Sequence, residues 1–269
     1  MHRHTNKPRG CLRATVAMFA AIVIIWPAIG VTASYFQRAQ QLIEQGENTE
    51  ARRLLQSELR INPGNIEARY DLAVLLEDIG HQNDAQSLYE KNLSLSWHLP
   101  SLINLAALLK RQGHADKAAQ WLETATKKIR HEAAPWYLLA AISDQHGNTH
   151  LAMAQHKKAI TADPLNGFAW LHFARFQSRH KLADGGIKYA KRALKLLPDC
   201  APCWRTYGDI MSSHGHHNKA LAAYQRSLAI RPDSITRQQL ITTLRHLGQT
   251  DRAERMQQAL DAWRKHHQK

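Results

Sequence analysis

The sequence predicts an all-α protein in which about six to seven helix–turn–helix units stack into a superhelix, preceded by one N-terminal transmembrane helix. Trp136, Trp170 and Trp204 follow one another at intervals of 34 residues, and a fixed period of this length is typical of a solenoid of stacked repeats. Small residues recur at nearly the same period in both helices of each unit. Ahead of the repeats, residues 14–33 form an uncharged, apolar run that is long enough to cross a membrane.

Each unit is marked by two small residues with a turn between them. The first helices carry a small residue at Ala39, Ala73, Ala106, Ala140, Ala174 and Gly208, and the second helices at Ala51, Ala85, Ala118, Ala152, Gly186, Ala220 and Ala253. The turn carries a glycine at Gly46, Gly80, Gly113, Gly147, Gly215 and Gly248, and Lys181 is the exception. Small residues let paired helices approach closely, and glycine lets the turn adopt a positive φ.

The links between units supply the predicted boundaries. Four units end in a proline, which cannot continue a helix, at Pro63, Pro164, Pro198 and Pro232. Residues 35–269 are therefore predicted to form the solenoid, with units at approximately 35–65, 66–98, 99–132, 133–166, 167–200, 201–233 and 234–266.

The pattern resembles the tetratricopeptide repeat family, whose unit is 34 residues of helix–turn–helix. HLAMAQHKKAITADPLN (150–166) and NKALAAYQRSLAIRPDS (218–234) are similar to the second helices and exits of that family almost residue for residue. The sequence departs from the pattern at Trp97 and Arg130, which replace closing prolines, and at Ile241, which replaces a small residue. The last pair is therefore interpreted as a capping pair with a polar outer face.

The resemblance implies where a partner binds. In that family the first helices line the concave face of a right-handed superhelix, which typically holds a peptide or a partner's helix. On this sequence that face carries Lys110, Arg111, Tyr137, Asp144, Gln145, Arg175, Arg179, Arg205 and Asp209. Guanidinium groups suit carboxylate or phosphate ligands, so we expect an acidic segment or a terminal carboxylate there; solvated surface charges are the alternative.

The N-terminus predicts export. Residues 1–13 contain four Lys or Arg residues and no acidic residue, so the charge bias keeps them in the cytoplasm. Residues 14–34 are then a signal anchor in a bacterial-type inner membrane, with the repeats in the periplasm. A cleaved signal peptide, cut after Ala33, is the alternative.

Cys200 and Cys203 form the sequence Cys-Ala-Pro-Cys at the entry to the sixth unit. An exported location permits a disulfide between them. A helix N-terminus can also lower a thiol pKa, as in redox proteins, but that motif normally accompanies a βαβ pattern. We therefore predict a structural disulfide or inert thiols, with redox chemistry and metal binding as alternatives.

Signals of an enzyme, a metal site or a bound cofactor are missing from the sequence. It contains no glycine-rich phosphate loop, no zinc-protease motif and no nucleophile elbow. The net charge of +14 is spread through the helical segments and is interpreted as solvated helix faces, with no nucleic acid as a partner. The sequence contains 17 histidines. Those of the turn His214–His217 are expected to be solvent-exposed, with weak metal binding as the alternative.

These observations predict a non-catalytic, membrane-tethered scaffold that binds proteins or peptides. The exported members of the family to which the sequence is similar imply assembly of an envelope complex, of the polysaccharide export, pilus or cytochrome maturation type. A chaperone-like receptor for extended or C-terminal peptides is one alternative. A thiol–disulfide oxidoreductase that uses Cys200 and Cys203 is the other.

Overall fold

The computed structural model describes residues 34–182 and 185–267. The predictions made for residues 1–33 lie outside these ranges. Among the described residues, no helix has both the length and the apolar character that a membrane crossing requires.

The described residues form fourteen α-helices and no strands, which confirms the all-α prediction. The helices are α1 (Tyr35–Gln45), α2 (Asn48–Ile61), α3 (Ile66–Asp78), α4 (Gln82–Leu95), α5 (Leu99–Arg111), α6 (Ala115–Lys128), α7 (Ala133–Gln145), α8 (Thr149–Ala162), α9 (Gly167–Arg179), α10 (Gly185–Leu196), α11 (Ala201–Ser213), α12 (His217–Ile230), α13 (Ser234–His246) and α14 (Thr250–His267).

Consecutive helices pack as seven antiparallel pairs that stack one on the next. Each odd-numbered helix packs on the even-numbered helix that follows it, and each pair packs on the next. The first helices of neighbouring pairs also contact one another, in the order α5, α7, α9, α11 and α13. We call this row of first helices the inner face.

The recurring small residues of both helices are buried. Ala39, Ala73, Ala140 and Ala174 on first helices are fully buried, and so are Ala51, Ala85, Ala118, Ala152 and Ala220 on second helices. Ile241, the predicted departure, is also fully buried between α13 and its neighbours. The last two helices therefore pack as a seventh pair despite the larger side chain.

The turns inside the pairs adopt the left-handed backbone conformation that the recurring glycine predicts. The six glycines have φ between +70° and +85°. Lys181, which replaces glycine in the fifth pair, has φ +50°. In this conformation the Cβ of Lys181 lies close to the following carbonyl oxygen, which is unfavourable. The fifth pair therefore keeps the same turn although lysine disfavours it.

The repeated tryptophans join one unit to the next. The indole N–H of Trp170 donates to the carbonyl of Pro164 at 2.9 Å, and that of Trp204 donates to the carbonyl of Pro198 at 2.8 Å. Each of these prolines closes the preceding unit. These two tryptophans therefore connect the first helix of one unit to the end of the unit before it.

Candidate functional site: a cationic pocket on the inner face

Five of the nine predicted groove residues line one small pocket on the inner face. Its volume is about 220 Å³, and the five are Lys110, Asp144, Gln145, Arg175 and Arg179. They come from α5, α7 and α9, the first helices of three consecutive pairs. Residues that are far apart in sequence meet here because first helices of neighbouring units contact one another.

The sequence did not point to the other residues that line the pocket. His156 enters from the second helix α8, and His172 comes from α9; Ala141 and Phe176 complete the lining. A buried histidine has no spacing that distinguishes it from the many exposed histidines of this chain. The only available signal was that position 156 falls on the buried side of its helix, one helical turn before Ala159.

Asp144 is the only acidic residue that lines the pocket, and other protein groups already satisfy it. Its carboxylate is 4% exposed, forms an ion pair with Arg179 and accepts a 2.6 Å hydrogen bond from Nε2 of His180. Both partners lie in the next unit, so Asp144 joins the fourth and fifth pairs. Asp144 is therefore a structural contact of the inner face more than a free ligand-binding group.

Lys110 and Arg175 form no ion pair among the described residues. Burial lowers the pKa of both side chains. Arg179 and Arg205 lower the pKa of Arg175 further, and the nearby carboxylate of Asp209, which does not line the pocket, raises it. A cation that loses hydration without forming an ion pair is costly. The pocket consequently has an unbalanced positive charge.

The two histidines are held in their neutral form. Burial lowers the pKa of His156 to about 4 and that of His172 to about 3. The neighbouring cations Arg175 and Lys110 lower the pKa of His172 as well. The imidazole of His172 stacks on Tyr137 with ring centroids 4.4 Å apart.

The four remaining groove candidates lie elsewhere. Tyr137 is 7% exposed and does not line the pocket, although its ring stacks on that of His172, which does. Arg111 forms an ion pair with Glu77 of the second unit. Arg205 lies 3.6 Å from Asp233, and Asp209 accepts a 2.8 Å hydrogen bond from the hydroxyl of Tyr224.

Cys200 and Cys203 are joined by a disulfide in the structure. Cys200 is the N-cap of α11, and its sulfur also accepts a hydrogen bond from the backbone N–H of Cys203 at 3.1 Å. Cys203 is buried against Leu171 and Ala193. Nothing in the described residues groups three or more His, Cys, Asp or Glu side chains in a way that would hold a metal ion.

Profiles of the tetratricopeptide repeat match residues 42–93, 99–124 and 206–269. One curated relative, cellulose synthase operon protein C of Pseudomonas fluorescens (strain SBW25), is 29% identical over 166 residues. That match covers 58% of this chain but only 13% of the relative.

Solved structures share the fold at low sequence identity. A tetratricopeptide repeat protein from Parabacteroides merdae superposes with a TM-score of 0.61 at 16% identity, covering 85% of this chain and 91% of that one. Yeast Tom70 gives 0.59 at 18% identity, covering 80% of this chain and 48% of that one. These likenesses, the three profile matches and the seven helix pairs show that the chain belongs to the tetratricopeptide repeat family, whose members bind other proteins or peptides.

Proposed function

We propose that this protein is a non-catalytic scaffold that holds an acidic segment of a partner protein on its inner face. The observation that carries the proposal is the unbalanced positive charge of the pocket between α5, α7 and α9. Lys110 and Arg175 form no ion pair among the described residues, whereas Arg111 and Arg179 form ion pairs with acids of the preceding units. A carboxylate supplied by a partner would form ion pairs with Lys110 and Arg175.

The proposal extends to the assembly of an envelope complex at a bacterial-type inner membrane, with residues 14–34 as the tether and the repeats in the periplasm. Of the three processes that the sequence suggests, polysaccharide export receives additional support. The curated relative is named for a cellulose synthase operon, and cellulose is a polysaccharide.

Charge reversal on the inner face should reduce partner capture at least tenfold in a crosslinking pull-down from intact membranes. The test variant is Lys110→Glu with Arg175→Glu, the two pocket cations that form no ion pair among the described residues, and it leaves the Arg179–Asp144 pair in place. Opposite charges at an interface attract, and like charges in the same place repel by several kcal/mol. The matched control is Lys157→Glu with Lys191→Glu, two exposed cations on second helices.

The control variant should capture the partner as the parent protein does. Circular dichroism melts would confirm that both variants stay folded. Equal capture by the parent and the inner-face variant would exclude binding of an acidic partner at this face.

The membrane tether has a separate test. A reporter enzyme that is active only outside the cytoplasm should be active when fused after Lys269, because the basic flank of residues 1–13 holds the N-terminus in the cytoplasm. Activity from a cytoplasmic reporter alone would contradict the proposed topology. A product shorter by about 33 residues would identify residues 1–33 as a cleaved signal peptide.

A further inference from the structure

We propose that the pocket between α5, α7, α8 and α9 binds a single oxyanion group, either a carboxylate of a bound segment or a free inorganic oxyanion. Binding of a carboxylate of a partner segment rests on the proposed function, whereas binding of a free inorganic oxyanion is independent of it. Lys110 and Arg175 would supply the charge, and His156 and His172 would supply neutral polar contacts.

The first argument is the buried imidazole of His156. The residue is 2% exposed, and its ring stacks between Phe173 at 5.5 Å and Phe176 at 5.0 Å, measured between ring centroids. Its Nδ1 is buried without a hydrogen-bond partner among the described residues. Buried polar atoms are almost always satisfied in native proteins, so an orphaned nitrogen beside a cavity indicates a polar occupant.

The second argument is the charge of the lining. The three cations Lys110, Arg175 and Arg179 face a single carboxylate, that of Asp144. Asp144 is already engaged by Arg179 and His180. The charge that remains on the lining is therefore positive and belongs to Lys110 and Arg175, which form no ion pair among the described residues.

The third argument comes from the electrostatic environment of His172. Arg175 and Lys110 help to lower its pKa to about 3, after burial as the main cause. The positive potential that disfavours a charged imidazole favours a bound anion at the same place. A neutral imidazole still carries one N–H donor that can contact an oxyanion.

The fourth argument is size. A cavity of about 220 Å³ holds several water molecules at about 30 Å³ each. It is thus large enough for a carboxylate or a phosphate with part of its hydration, and too small for a folded surface. The neighbouring Arg111 turns towards Glu77 and takes no part.

The direct test follows the histidine ring signals of the full chain by NMR during titration. The probes are a pentapeptide with two C-terminal glutamates and a free carboxyl terminus, and inorganic phosphate. We expect at least one probe to shift the His156 and His172 signals saturably. Lys110→Gln with Arg175→Gln should weaken this binding at least thirtyfold, and the control Lys157→Gln with Lys191→Gln should leave it unchanged.

His156→Phe separates a binding role from a structural one. The phenyl ring keeps the contacts with Phe173 and Phe176 and removes the orphaned nitrogen. We expect an unchanged or higher melting temperature together with at least threefold weaker binding. A melting temperature that falls in parallel with affinity would show that His156 acts only through packing, and would remove it from the subsite.

The outcomes distinguish this inference from the proposed function. A response to the peptide alone assigns the subsite to a partner's carboxylate, and a response to phosphate alone assigns it to a free oxyanion. No saturable histidine shift with either probe overturns the inference, even if partners are still captured from membranes. Oxyanion binding without any partner capture would instead overturn the proposed scaffold and leave the subsite in place.

Discussion

Replacing Asn92 by leucine should destabilise the second and third helix pairs by about 3–5 kcal/mol. Asn92 is fully buried, and its amide connects three helices. Its Nδ2 donates to the carbonyl of Ile66 in α3 and to the hydroxyl of Ser101 in α5, each at 3.0 Å, and its Oδ1 accepts from the guanidinium of Arg69 at 2.9 Å.

The size of this effect comes mainly from Arg69. That side chain is 5% exposed and forms no ion pair among the described residues; it also donates a hydrogen bond to the carbonyl of Pro63. Burial lowers its pKa, which shows that its charge is held at a cost. Without Asn92 the guanidinium would lose its one side-chain acceptor within the described part of the chain, and an uncompensated buried charge is strongly destabilising.

Hydrogen exchange is the suitable measurement, because stacked repeats open locally and a global melt would average the effect. Amides of α3, α4 and α5 should lose protection, whereas those of α11 to α13 should not. Asn83→Ala, at an exposed position in the same helix, is the control and should change stability by less than about 0.5 kcal/mol.

A double mutant identifies the cause. Asn92→Leu combined with Arg69→Met removes both the acceptor and the charge, and should restore a large part of the lost protection. If the double mutant is as unstable as the sum of the single mutants, the Arg69–Asn92 contact is not responsible.

Replacing Gly208 by alanine should destabilise the sixth helix pair by about 1–3 kcal/mol. A Cβ at this position would lie 2.5 Å from Cε1 and 2.7 Å from Cδ1 of Tyr224. Tyr224 is buried, and its hydroxyl donates to Asp209, the residue next to the glycine. The ring must therefore shift and weaken this hydrogen bond.

Gly186→Ala is the matched control, because a Cβ there has its closest neighbours at 3.4 Å. Its free energy of unfolding should stay the same or rise by up to about 1 kcal/mol, since alanine favours helix. Both variants can be compared by urea denaturation. Equal stability of the Gly208→Ala variant and the parent would show that the ring moves freely.

The second pair shows how alanine and tyrosine can coexist. Ala73 and Tyr89 occupy the positions that correspond to Gly208 and Tyr224, but the hydroxyl of Tyr89 donates to Glu77, four residues after the alanine, at 3.0 Å. Transferring this arrangement with Gly208→Ala, Asp209→Val and Ser212→Glu should recover part of the lost stability. If stability does not recover, the orientation of the Tyr224 side chain is not the reason that position 208 carries glycine.

Sequence patterns predicted the repeated features because these depend on neighbours at constant separations. A 34-residue period requires identical helix pairs, so the small buried residues and the left-handed turns follow from it directly. The same reasoning does not explain why position 208 carries glycine and not alanine. Alanine occupies that position in the five preceding units, and only the direction of Tyr224 makes glycine necessary there.

The sequence predicted only part of the candidate site. The resemblance placed Lys110, Asp144, Gln145, Arg175 and Arg179 on the inner face, and the structure brings all five to one pocket. It also placed Tyr137 there, although the stacking of His172 buries this ring. Whether a side chain on a helix face is free or covered depends on the residue that the next unit sets against it.

The sequence by itself determined the all-α class, the helix pairs, the family and the face on which cations gather. The tertiary structure alone decided which of those cations are neutralised and which are not. Arg111 and Arg179 form ion pairs with acids 34 and 35 residues away, in the preceding unit, whereas Lys110 and Arg175 form no ion pair among the described residues. The physical reason is that periodicity specifies backbone packing between adjacent units, while ion pairing and desolvation depend on how individual side chains from several helices meet in space.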